Sequence, residues 1–406
     1  MSRMARRPSV IIAGAGIGGL AAAALLRGRG FEVAVYEQAR RLQEVGAGVQ
    51  LSANAVKVLR SLEMEERVVS RGFLPTHFIG WSWKSGRRLY RTPISPLHEQ
   101  SFGAPYVHIH RADLLEALAD GVPAGSIHLA HRLVDLAEAD GGGMRASFEN
   151  GHTAHADVVI GADGIHSAVR RCLFGPEAPR FTGNMCWRGV IPADALPAGH
   201  IAPASSNWMG PQGHVVHYYL RGGSLVNFVA VRETDAWLGE SWTTPSSKEE
   251  LLQAFEGWHP RLLALFERAD GIHKWGLFDR DPLPAWSKGG ATLLGDAAHP
   301  MLPFLAQGAG QALEDAYAVA DWLGRYPDRP AEALAAYEAE RKARTARIQL
   351  AARARSLTTH IKSPWAAFKR DVAFAWQQVV SPNATTHRAE WIYRHDVTQV
   401  ERTLGG

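Results

Sequence analysis

The sequence predicts an α/β protein with a parallel nucleotide-binding sheet, a second α+β domain on a mixed sheet, and a helical C-terminal segment. A strand, a glycine turn, a helix and a second strand follow one another in residues 9–37. Strand-like segments with alternating and aromatic residues dominate residues 181–275, and the pattern from residue 330 onward is helical. A chain of 406 residues is long enough for two domains with separate cores.

The first unit begins with the apolar run at residues 10–12, which has the length of a buried parallel strand. Gly14, Gly16 and Gly19 follow as a G-x-G-x-x-G turn. The first glycine permits a tight turn, the second lets the backbone approach a pyrophosphate, and the third lets the helix pack closely on the strand. The free N–H groups and the helix dipole favour phosphate at this point.

Glu37 ends the second strand, about 20 residues after the glycine turn, where a carboxylate accepts hydrogen bonds from ribose hydroxyls. This acid favours a cofactor with a free ribose, FAD or NAD, over one with a 2′-phosphate. A glycine-rich turn of a ligand-free sheet is the alternative, and the acid argues against it. The unit therefore predicts a Rossmann-like dinucleotide-binding domain.

Composition excludes several other classes of protein. The formal net charge is +4, a bias too small to indicate nucleic-acid binding. Cys172 and Cys186 lack metal-type spacing, so neither a disulfide framework nor a zinc site is expected. Basic residues precede the first apolar run, but the glycine turn interrupts it, which argues against a secretory signal. We expect a cytoplasmic protein without a membrane span or a membrane partner.

Further candidate residues lie in the first half of the chain. Gly48 belongs to a second glycine-rich stretch, 46–48, which suggests backbone lying against a flat ligand. His108 and His110 share a face of a strand, but no third ligand is evident and we expect no metal site. Arg111 lies where this strand gives way to a helix and could reach a phosphate; an ordinary surface arginine is the alternative.

Two later glycine turns repeat the arrangement of strand, turn and helix. Asp163 lies in the turn 161–164 between an apolar strand and a helix that contains Arg170. Asp296 follows the apolar run 291–294, and a helix then opens at residues 307–311, whose exposed N–H groups would stabilise an anionic ring system. Both turns are typical of the ligand-binding edge of a parallel sheet.

Taken in order, the stretches GAGIGG, GADGIHS and GDAAHPMLPFLAQGAGQALEDA resemble those of the FAD-dependent aromatic hydroxylases, the group A flavoprotein monooxygenases. The resemblance covers nearly the whole chain and is strongest for the single-component hydroxylases of salicylate, 3-hydroxybenzoate and 6-hydroxynicotinate. The tail at residues 387–393 (His387 to Tyr393) is similar to the end of those proteins.

The resemblance implies bound FAD, with NADH or NADPH as a transient co-substrate, because the chain carries one nucleotide fingerprint. It further implies O₂ as co-substrate and a flavin C4a-hydroperoxide that transfers OH to an electron-rich ring. The expected cofactor contacts are Gly14, Gly16, Gly19, Glu37, Gly48, Arg111, Asp163, Asp296, Gly308 and Ala309. Arg170 would lie in a motif tied both to FAD and to the passing nicotinamide.

The expected catalytic pair is His214 and Tyr218, which are four residues apart and share one face of a strand. In the resembling enzymes such a pair lies over the substrate; an ordinary sheet face is the alternative. Gln50 stands where the hydroxynicotinate enzymes carry a histidine base. Pro303 and Phe304 predict a pocket that is apolar on one side.

A substrate carboxylate would need a cation, and Arg188 or Arg221 could supply it, although nothing in the sequence places either in the pocket. We predict a monooxygenase that hydroxylates a phenolic or N-heteroaromatic acid resembling salicylate or 3-hydroxybenzoate. The rivals are a larger non-acidic substrate such as a quinolone or phenazine, a flavin reductase without oxygen insertion, and a non-catalytic flavoprotein that binds a partner. A homodimer is expected from the resemblance.

The predicted domains follow from these assignments. The discontinuous FAD-binding domain takes residues 1–75, 101–180 and 276–330, the substrate domain takes 76–100 and 181–275, and a helical segment takes 331–406.

Overall fold

The computed structural model describes residues 8–42, 48–235, 244–381, 386 and 388–404. Its strands are β1 (Ser9–Ala13), β2 (Glu32–Tyr36), β3 (Gly48–Leu51), β4 (His77–Ser82), β5 (Arg88–Pro93), β6 (Val107–His110), β7 (Ile127–His128), β8 (Leu133–Glu138), β9 (Met144–Phe148), β10 (Thr153–Ala156), β11 (Val158–Gly161), β12 (Arg180–Pro192), β13 (Ser205–Gly210), β14 (Gly213–Leu220), β15 (Leu225–Glu233), β16 (Thr244–Pro245), β17 (Asp270–Asp279) and β18 (Ala291–Leu293). Its helices are α1 (Ile17–Gly28), α2 (Ala53–Ser61), α3 (Glu65–Arg71), α4 (Leu97–Phe102), α5 (Arg111–Asp120), α6 (Ala168–Phe174), α7 (Lys248–Ala254), α8 (Pro260–Glu267), α9 (Gly308–Arg325), α10 (Pro330–Thr359), α11 (Pro364–Val380) and α12 (Glu390–Tyr393).

The first sheet is parallel, with strand order β18-β11-β1-β2-β7. Its central strands are buried apolar runs, as a parallel sheet covered on both faces requires. The register pairs Ala13 with Gly161 and Gly161 with Leu293. The three glycine turns that follow β1, β11 and β18 therefore meet at one edge of the sheet, and the α/β class is confirmed.

The largest sheet has the order β16-β17-β12-β15-β14-β13-β4-β5 and is antiparallel except where β13 meets β4. Helices α7 and α8 cover one face with an aromatic core that includes Phe228, Phe255 and Phe266. Alternation along β14 sends Val215 to this covered face and places His214 and Tyr218 on the opposite face. The mixed sheet is as predicted, whereas the domain boundaries themselves stay a prediction.

A buried ion network joins α9 to α10 and to the loop after β18. Arg341, which is 1% exposed, donates to Glu314 Oε2 at 2.6 Å and to Asp315 Oδ1 at 2.8 Å. The other oxygen of Asp315 accepts from the backbone N–H of Gly295 at 3.0 Å and lies 2.5 Å from His299 Nε2. This network fixes the N-terminus of α9 beside the loop that carries Asp296.

Helix α11 lies against the outer strand β5 by one face only. Phe374 packs edge-on against Tyr90 at 5.2 Å between ring centres, and Gln378 Oε1 accepts from the backbone N–H of Arg91 at 2.8 Å. The opposite face exposes large apolar side chains, namely Trp365, Phe368, Val372, Trp376, Val379 and Val380. Over the residues that the structure describes, no helix combines the length and apolarity needed to cross a membrane.

Candidate active site

The first cavity, of about 460 Å³, opens at the edge where the three glycine turns meet. Gly14 has φ +106°, and a Cβ there would lie 2.4 Å from the carbonyl oxygen of Ala162. A Cβ on Gly19 would lie 2.0 Å from the Gly14 carbonyl oxygen. Gly16 instead has no protein atom within 4 Å of an added Cβ, so its backbone faces open space in the cavity. Gly14 and Gly19 thus stand where the backbone is too close for a side chain, and the contact of Gly16 with a pyrophosphate stays a prediction.

Glu37 lines the same cavity and is held by the backbone on both sides of it. Its Oε2 accepts from the N–H of Ala15 and its Oε1 from the N–H of Ala39, both at 2.8 Å. Each carboxylate oxygen has a further lone pair, which can accept a ribose hydroxyl. The side chain is therefore fixed at the end of β2 with spare acceptor capacity.

Asp296, Gly308 and Ala309 line the cavity from the side of β18 and α9. The Asp296 side chain is open to the cavity yet lies deep in the protein, so desolvation raises its pKa, while His299 and Arg111 oppose that rise. Gly308, the first residue of α9, has no protein atom within 4 Å of an added Cβ. The start of this helix is therefore open on the cavity side, as the approach of a planar anionic ring would require.

Asp163 also lines the cavity, but its carboxylate is bound within the protein. Its Oδ1 accepts from Ser167 Oγ at 2.5 Å, and its Oδ2 accepts from the N–H of Ala168 at 2.7 Å. Asp163 thus caps α6 and shapes the turn. Arg170 is buried on α6, donates to Glu177 at 2.5 Å, and is absent from the described residues that line this cavity.

The first cavity fits FAD. It has two glycine-bearing helix starts for the pyrophosphate and the flavin ring, a fixed carboxylate for the ribose, and Arg111 along its wall. A Cβ added at Gly16 or Gly308 would meet no protein atom within 4 Å, so the space beside both glycines is open to a ligand.

The second cavity, of about 360 Å³, lies between the large sheet, β3 and the C-terminal helices. His214 and Tyr218 line it from β14, Gln50 from β3 and Phe304 from the loop before α9. Gly48, which the sequence grouped with the cofactor contacts, lines this cavity and is absent from the described residues that line the first one. The predicted catalytic pair and two of the predicted substrate residues thus share one site.

Tyr218 is held on three sides. A Cβ on Gly48 would lie 2.6 Å from the Tyr218 hydroxyl, so only glycine fits beside it. The hydroxyl is hydrogen-bonded to the Gln50 side chain, and Gln50 Oε1 accepts from the Tyr106 hydroxyl at 2.8 Å. The ring lies 4.4 Å from that of His108. Burial raises the pKa of Tyr218 above its ordinary value, so the group enters the site as a neutral phenol.

His214 lines the cavity with its Nδ1 turned away, 2.7 Å from Nε2 of His360 at the end of α10. Phe304 meets the ring edge-on at 5.0 Å. Burial, with His360 and Arg355 nearby, lowers the pKa of His214 well below its ordinary value. The imidazole is therefore neutral at pH 7, and its Nε2 or Nδ1 lone pair can accept a hydrogen bond.

The predicted arginines are not the ones that line the cavity. Arg221 binds Asp113 with two hydrogen bonds of 2.6 and 2.8 Å, which corrects the suggestion that it could hold a substrate carboxylate. Arg188 stacks over Trp275 at 4.8 Å and is absent from the described residues that line the cavity. Arg355 of α10 and Arg388 of the tail line it instead. No local motif marks Arg355, which reaches the cavity from a distant helix, whereas Arg388 lies in the quoted tail stretch 387–393, to which the sequence assigned no role.

The tail closes the second cavity. Ala389, Trp391, Ile392 and Tyr393 line it, and Arg347 holds Trp391 by stacking at 3.8 Å from the ring centre. His387, the first residue of the quoted tail motif, lies outside the described residues, as do Gly46 and Ala47 of the second glycine stretch.

His108 and His110 do not form a joint site. His108 is buried against Tyr218, and burial lowers its pKa to about 3. The side chain of His110 accepts from the N–H of Ala112 at the start of α5. Within the part of the chain that the structure describes, no group of three potential metal ligands occurs.

Comparisons with known proteins agree with this geometry. The sequence profile of the FAD binding domain family matches residues 7–352. A 3-amino-4-hydroxybenzoate 2-monooxygenase of Streptomyces platensis is 40% identical over 355 residues, 87% of this chain and 89% of the relative. A 6-hydroxynicotinate 3-monooxygenase of Pseudomonas fluorescens is 37% identical over 350 residues, 85% of this chain and 90% of the relative.

Among solved structures, a salicylate hydroxylase in complex with its substrate superimposes with a TM-score of 0.81 at 28% identity, and the match covers 98% of this chain and 100% of that one. The family profile spans more than half of the chain, and both relatives exceed 30% identity over most of their length. The chain therefore belongs to the FAD binding domain family and, within it, to the FAD-dependent aromatic-ring monooxygenases.

Proposed function

We propose that this monooxygenase uses NADH or NADPH and O₂ to hydroxylate a phenolic or N-heteroaromatic carboxylic acid. The observation that carries the proposal is the composition of the second cavity. It combines a neutral histidine and a tyrosine, His214 and Tyr218, with two arginines, Arg355 and Arg388. A ring that bears both a hydroxyl and a carboxylate uses both kinds of group, and about 360 Å³ suits a single-ring acid.

The relatives support the class of substrate. Both 3-amino-4-hydroxybenzoate and 6-hydroxynicotinate, the substrates in the relatives' names, carry a hydroxyl para to a carboxylate. We propose a substrate of this class for the present chain as well, and salicylate and 3-hydroxybenzoate remain candidates.

The residues of the cavity have separate tasks in this proposal. When bound, FAD supplies the oxygen-transfer chemistry. His214 accepts the phenolic proton at Nε2, because a phenolate is the better nucleophile. The Tyr218 hydroxyl donates a hydrogen bond to the ring oxygen and so favours the ionised form. Phe304 and Trp391 exclude water from the reacting ring.

The arginines would bind the carboxylate and set the orientation of the ring. A guanidinium binds a carboxylate through two parallel hydrogen bonds, which fixes direction as well as position. Arg355 is half-buried on α10, whereas Arg388 is exposed at the mouth of the cavity. We therefore assign Arg355 to the bound carboxylate and Arg388 to its capture at the entrance.

The test is oxidation of NADH and of NADPH by the FAD-loaded protein with 3-amino-4-hydroxybenzoate, 6-hydroxynicotinate, 3-hydroxybenzoate and salicylate. Product mass and peroxide are measured together, and each acid is paired with its carboxamide. We expect at least one acid to stimulate oxidation and to gain an oxygen or exchange CO₂ for oxygen. Stimulation by the carboxamide alone would favour a non-acidic substrate, and no stimulation by any ring would favour a reductase or a partner-binding flavoprotein.

Two variants sharpen this test. Arg355→Met should raise KM for the acid by about 10- to 100-fold, the equivalent of one charge-assisted hydrogen bond, and should leave the carboxamide unaffected. Arg221→Met is the matched control, because its guanidinium binds Asp113 away from the cavity. Equal KM values for Arg355→Met and wild type would contradict the assignment.

A cytoplasmic location and a homodimer complete the proposal. Cys172 and Cys186 are free, as is usual in a reducing compartment. The apolar side chains that α11 exposes favour burial against a second copy of the chain.

A further inference from the structure

Polar groups at hydrogen-bond and ion-pair distances lead from the second cavity to the surface. His214 Nδ1 lies 2.7 Å from His360 Nε2, and His360 Nδ1 lies 3.5 Å from Glu233 Oε1. The second oxygen of Glu233 is 2.8 Å from Lys362 Nζ, on a side chain that is 65% exposed. The two imidazoles are buried, whereas Glu233 is 28% exposed and reaches water.

The line is held in place by the backbone at each step. His360 follows α10, donates its N–H to the Ser356 carbonyl at 2.9 Å and accepts from the N–H of Gln212 at 3.3 Å. Glu233, the last residue of β15, donates its N–H to the carbonyl of the same Gln212 at 2.8 Å. Phe304 lies edge-on to both imidazoles at 5.0 and 5.8 Å and keeps an apolar wall beside them.

The charges around the line determine which nitrogens carry protons. A neutral imidazole has one N–H, and the anionic Glu233 favours that proton on Nδ1 of His360. Nε2 of His360 is then an acceptor for the Nδ1–H of His214. The lone pair on Nε2 of His214 is left for the cavity. Each group thus sets the tautomer of the next.

Burial, assisted by nearby cations, keeps both rings neutral at pH 7. Burial lowers the pKa of His360 to about 4, with Glu233 opposing and Arg232 and Lys362 adding to the fall. His214 also faces Arg355. The anion Glu233 favours a protonated His360, whereas the cations Arg232, Lys362 and Arg355 disfavour an imidazolium.

We propose that His214, His360 and Glu233 form a proton relay that carries the phenolic proton of the substrate from the buried cavity to the protein surface. The substrate O–H gives its proton to His214 Nε2, His214 passes its Nδ1 proton to His360 Nε2, and His360 passes its Nδ1 proton to Glu233. Glu233 releases that proton to water, and the reverse shift reprotonates the product oxygen. The relay rests on the proposed phenolic substrate, and His360 and Glu233 act through His214.

The order of tautomers can be tested without a substrate. In the FAD-loaded protein labelled with ¹⁵N-histidine, long-range ¹H–¹⁵N spectra distinguish the two ring nitrogens, and the His214→Gln and His360→Gln variants assign the signals. We expect both histidines to be neutral Nδ1–H tautomers at pH 7. A pair of Nε2–H tautomers would overturn the relay, because His214 would then present a donor to the phenol.

Proton transfer itself is measured with 4-hydroxy-3-nitrobenzoate, whose phenolate is coloured. Stopped-flow absorbance follows its ionisation on binding, with a pH indicator reporting release to water. His360→Gln can still accept a hydrogen bond from His214 but cannot pass a proton, so ionisation should slow by about 100-fold, with FAD retention and melting temperature unchanged. Glu233→Gln should also slow it. His155→Gln, an exposed histidine of β10, is the control and should match wild type.

The outcomes separate the two proposals. If wild type ionises the probe and His360→Gln ionises it equally fast, the relay alone is overturned. If wild type binds the probe without ionising it, or fails to bind it, the proposal of a phenolic substrate is overturned. The relay would then have no phenolic proton to carry and would be overturned as well. Slowed ionisation in both relay variants, with the expected tautomers, supports the relay.

Discussion

Tyr218 illustrates how single residues acquire their task from their neighbours. Its ring lies between Gly48 and His108, and its hydroxyl reaches Gln50 and the cavity. The next residue, Tyr219, points to the other face of the sheet, where its hydroxyl donates to the Ile201 carbonyl at 3.2 Å. Two adjacent tyrosines thus differ in function because alternation along a strand sends them to opposite faces.

Tyr218→Phe keeps the packing and removes only the hydroxyl. We expect FAD retention to be unchanged, coupled hydroxylation to fall by about 10- to 100-fold, the equivalent of one hydrogen bond to a charged oxygen, and peroxide release to rise. Oxygen uptake, product and peroxide are measured together. Tyr219→Phe is the control and should behave as wild type; coupled turnover that is unchanged in Tyr218→Phe would remove its assigned role.

Gly16 is a second position where a single added carbon atom, the Cβ of alanine, is expected to change FAD binding. A Cβ added there meets no protein atom, so Gly16→Ala should fold normally. The methyl group would occupy the space through which a pyrophosphate approaches, and we expect a cost of about 1–3 kcal/mol in FAD binding, or roughly 5- to 150-fold in Kd. Gly28→Ala, at the other end of α1 and equally unobstructed, is the control. FAD titration of the two apoproteins compares them, and equal affinities would exclude the predicted contact.

At the scale of elements, the buried ion network explains how α9 is placed. Burial alone would raise the pKa of Glu314, but Arg341 and Arg344 outweigh it and hold that pKa far below its ordinary range. Asp315 is held low in the same way by His299 and Arg341. Both carboxylates are therefore anions wherever the fold is stable, and α9 is locked to α10 and to the loop that carries Asp296.

Glu314→Gln should cost about 3–5 kcal/mol in the free energy of unfolding at pH 7, because it leaves buried arginine charge uncompensated. The folded pKa of Glu314 is depressed, so its contribution is present above the unfolded pKa of about 4.3 and is lost as pH falls below that value. Urea unfolding at pH 7, 4 and 3 should show the difference from wild type held down to about pH 4.3 and shrinking below it. Glu332→Gln, in an exposed pair with Arg329, should show no comparable loss; equal losses would contradict the argument.

At the scale of the whole molecule, helix α11 exposes a stripe of large apolar side chains to solvent, namely Trp365, Phe368, Val372, Trp376, Val379 and Val380. Its members recur every three or four residues from Trp365 to Val380, opposite Phe374. Large contiguous apolar surface of this kind marks an interaction site.

Trp376→Glu should convert the proposed dimer into a monomer, since it places a charge at the centre of the stripe. Light scattering coupled to gel filtration measures the mass of each form. Gln377→Glu adds the same charge beside the stripe and should leave the dimer intact. A monomeric wild type, or a dimer that survives Trp376→Glu, would contradict this interface.

The sequence by itself determined the cofactor side of this protein. The second strand was predicted to end at Glu37 and ends one residue earlier, at Tyr36, and the three glycine turns meet at one edge of the sheet. The faces of β14 were also predictable. All of these follow from local rules: the length of an apolar run, the conformations open to glycine, and the two-residue repeat of a strand.

The tertiary structure alone decided which distant side chains complete the site. His360 meets His214 across 146 positions of sequence, and Arg355 and Arg388, not Arg188 or Arg221, line the substrate cavity. Arg341 carries no motif, yet it neutralises two buried carboxylates. The physical reason is that the protonation state and the role of a charged side chain depend on its burial and on its ion-pair partner. Both are set by residues that are distant in the sequence, so the neighbouring residues along the chain do not reveal them.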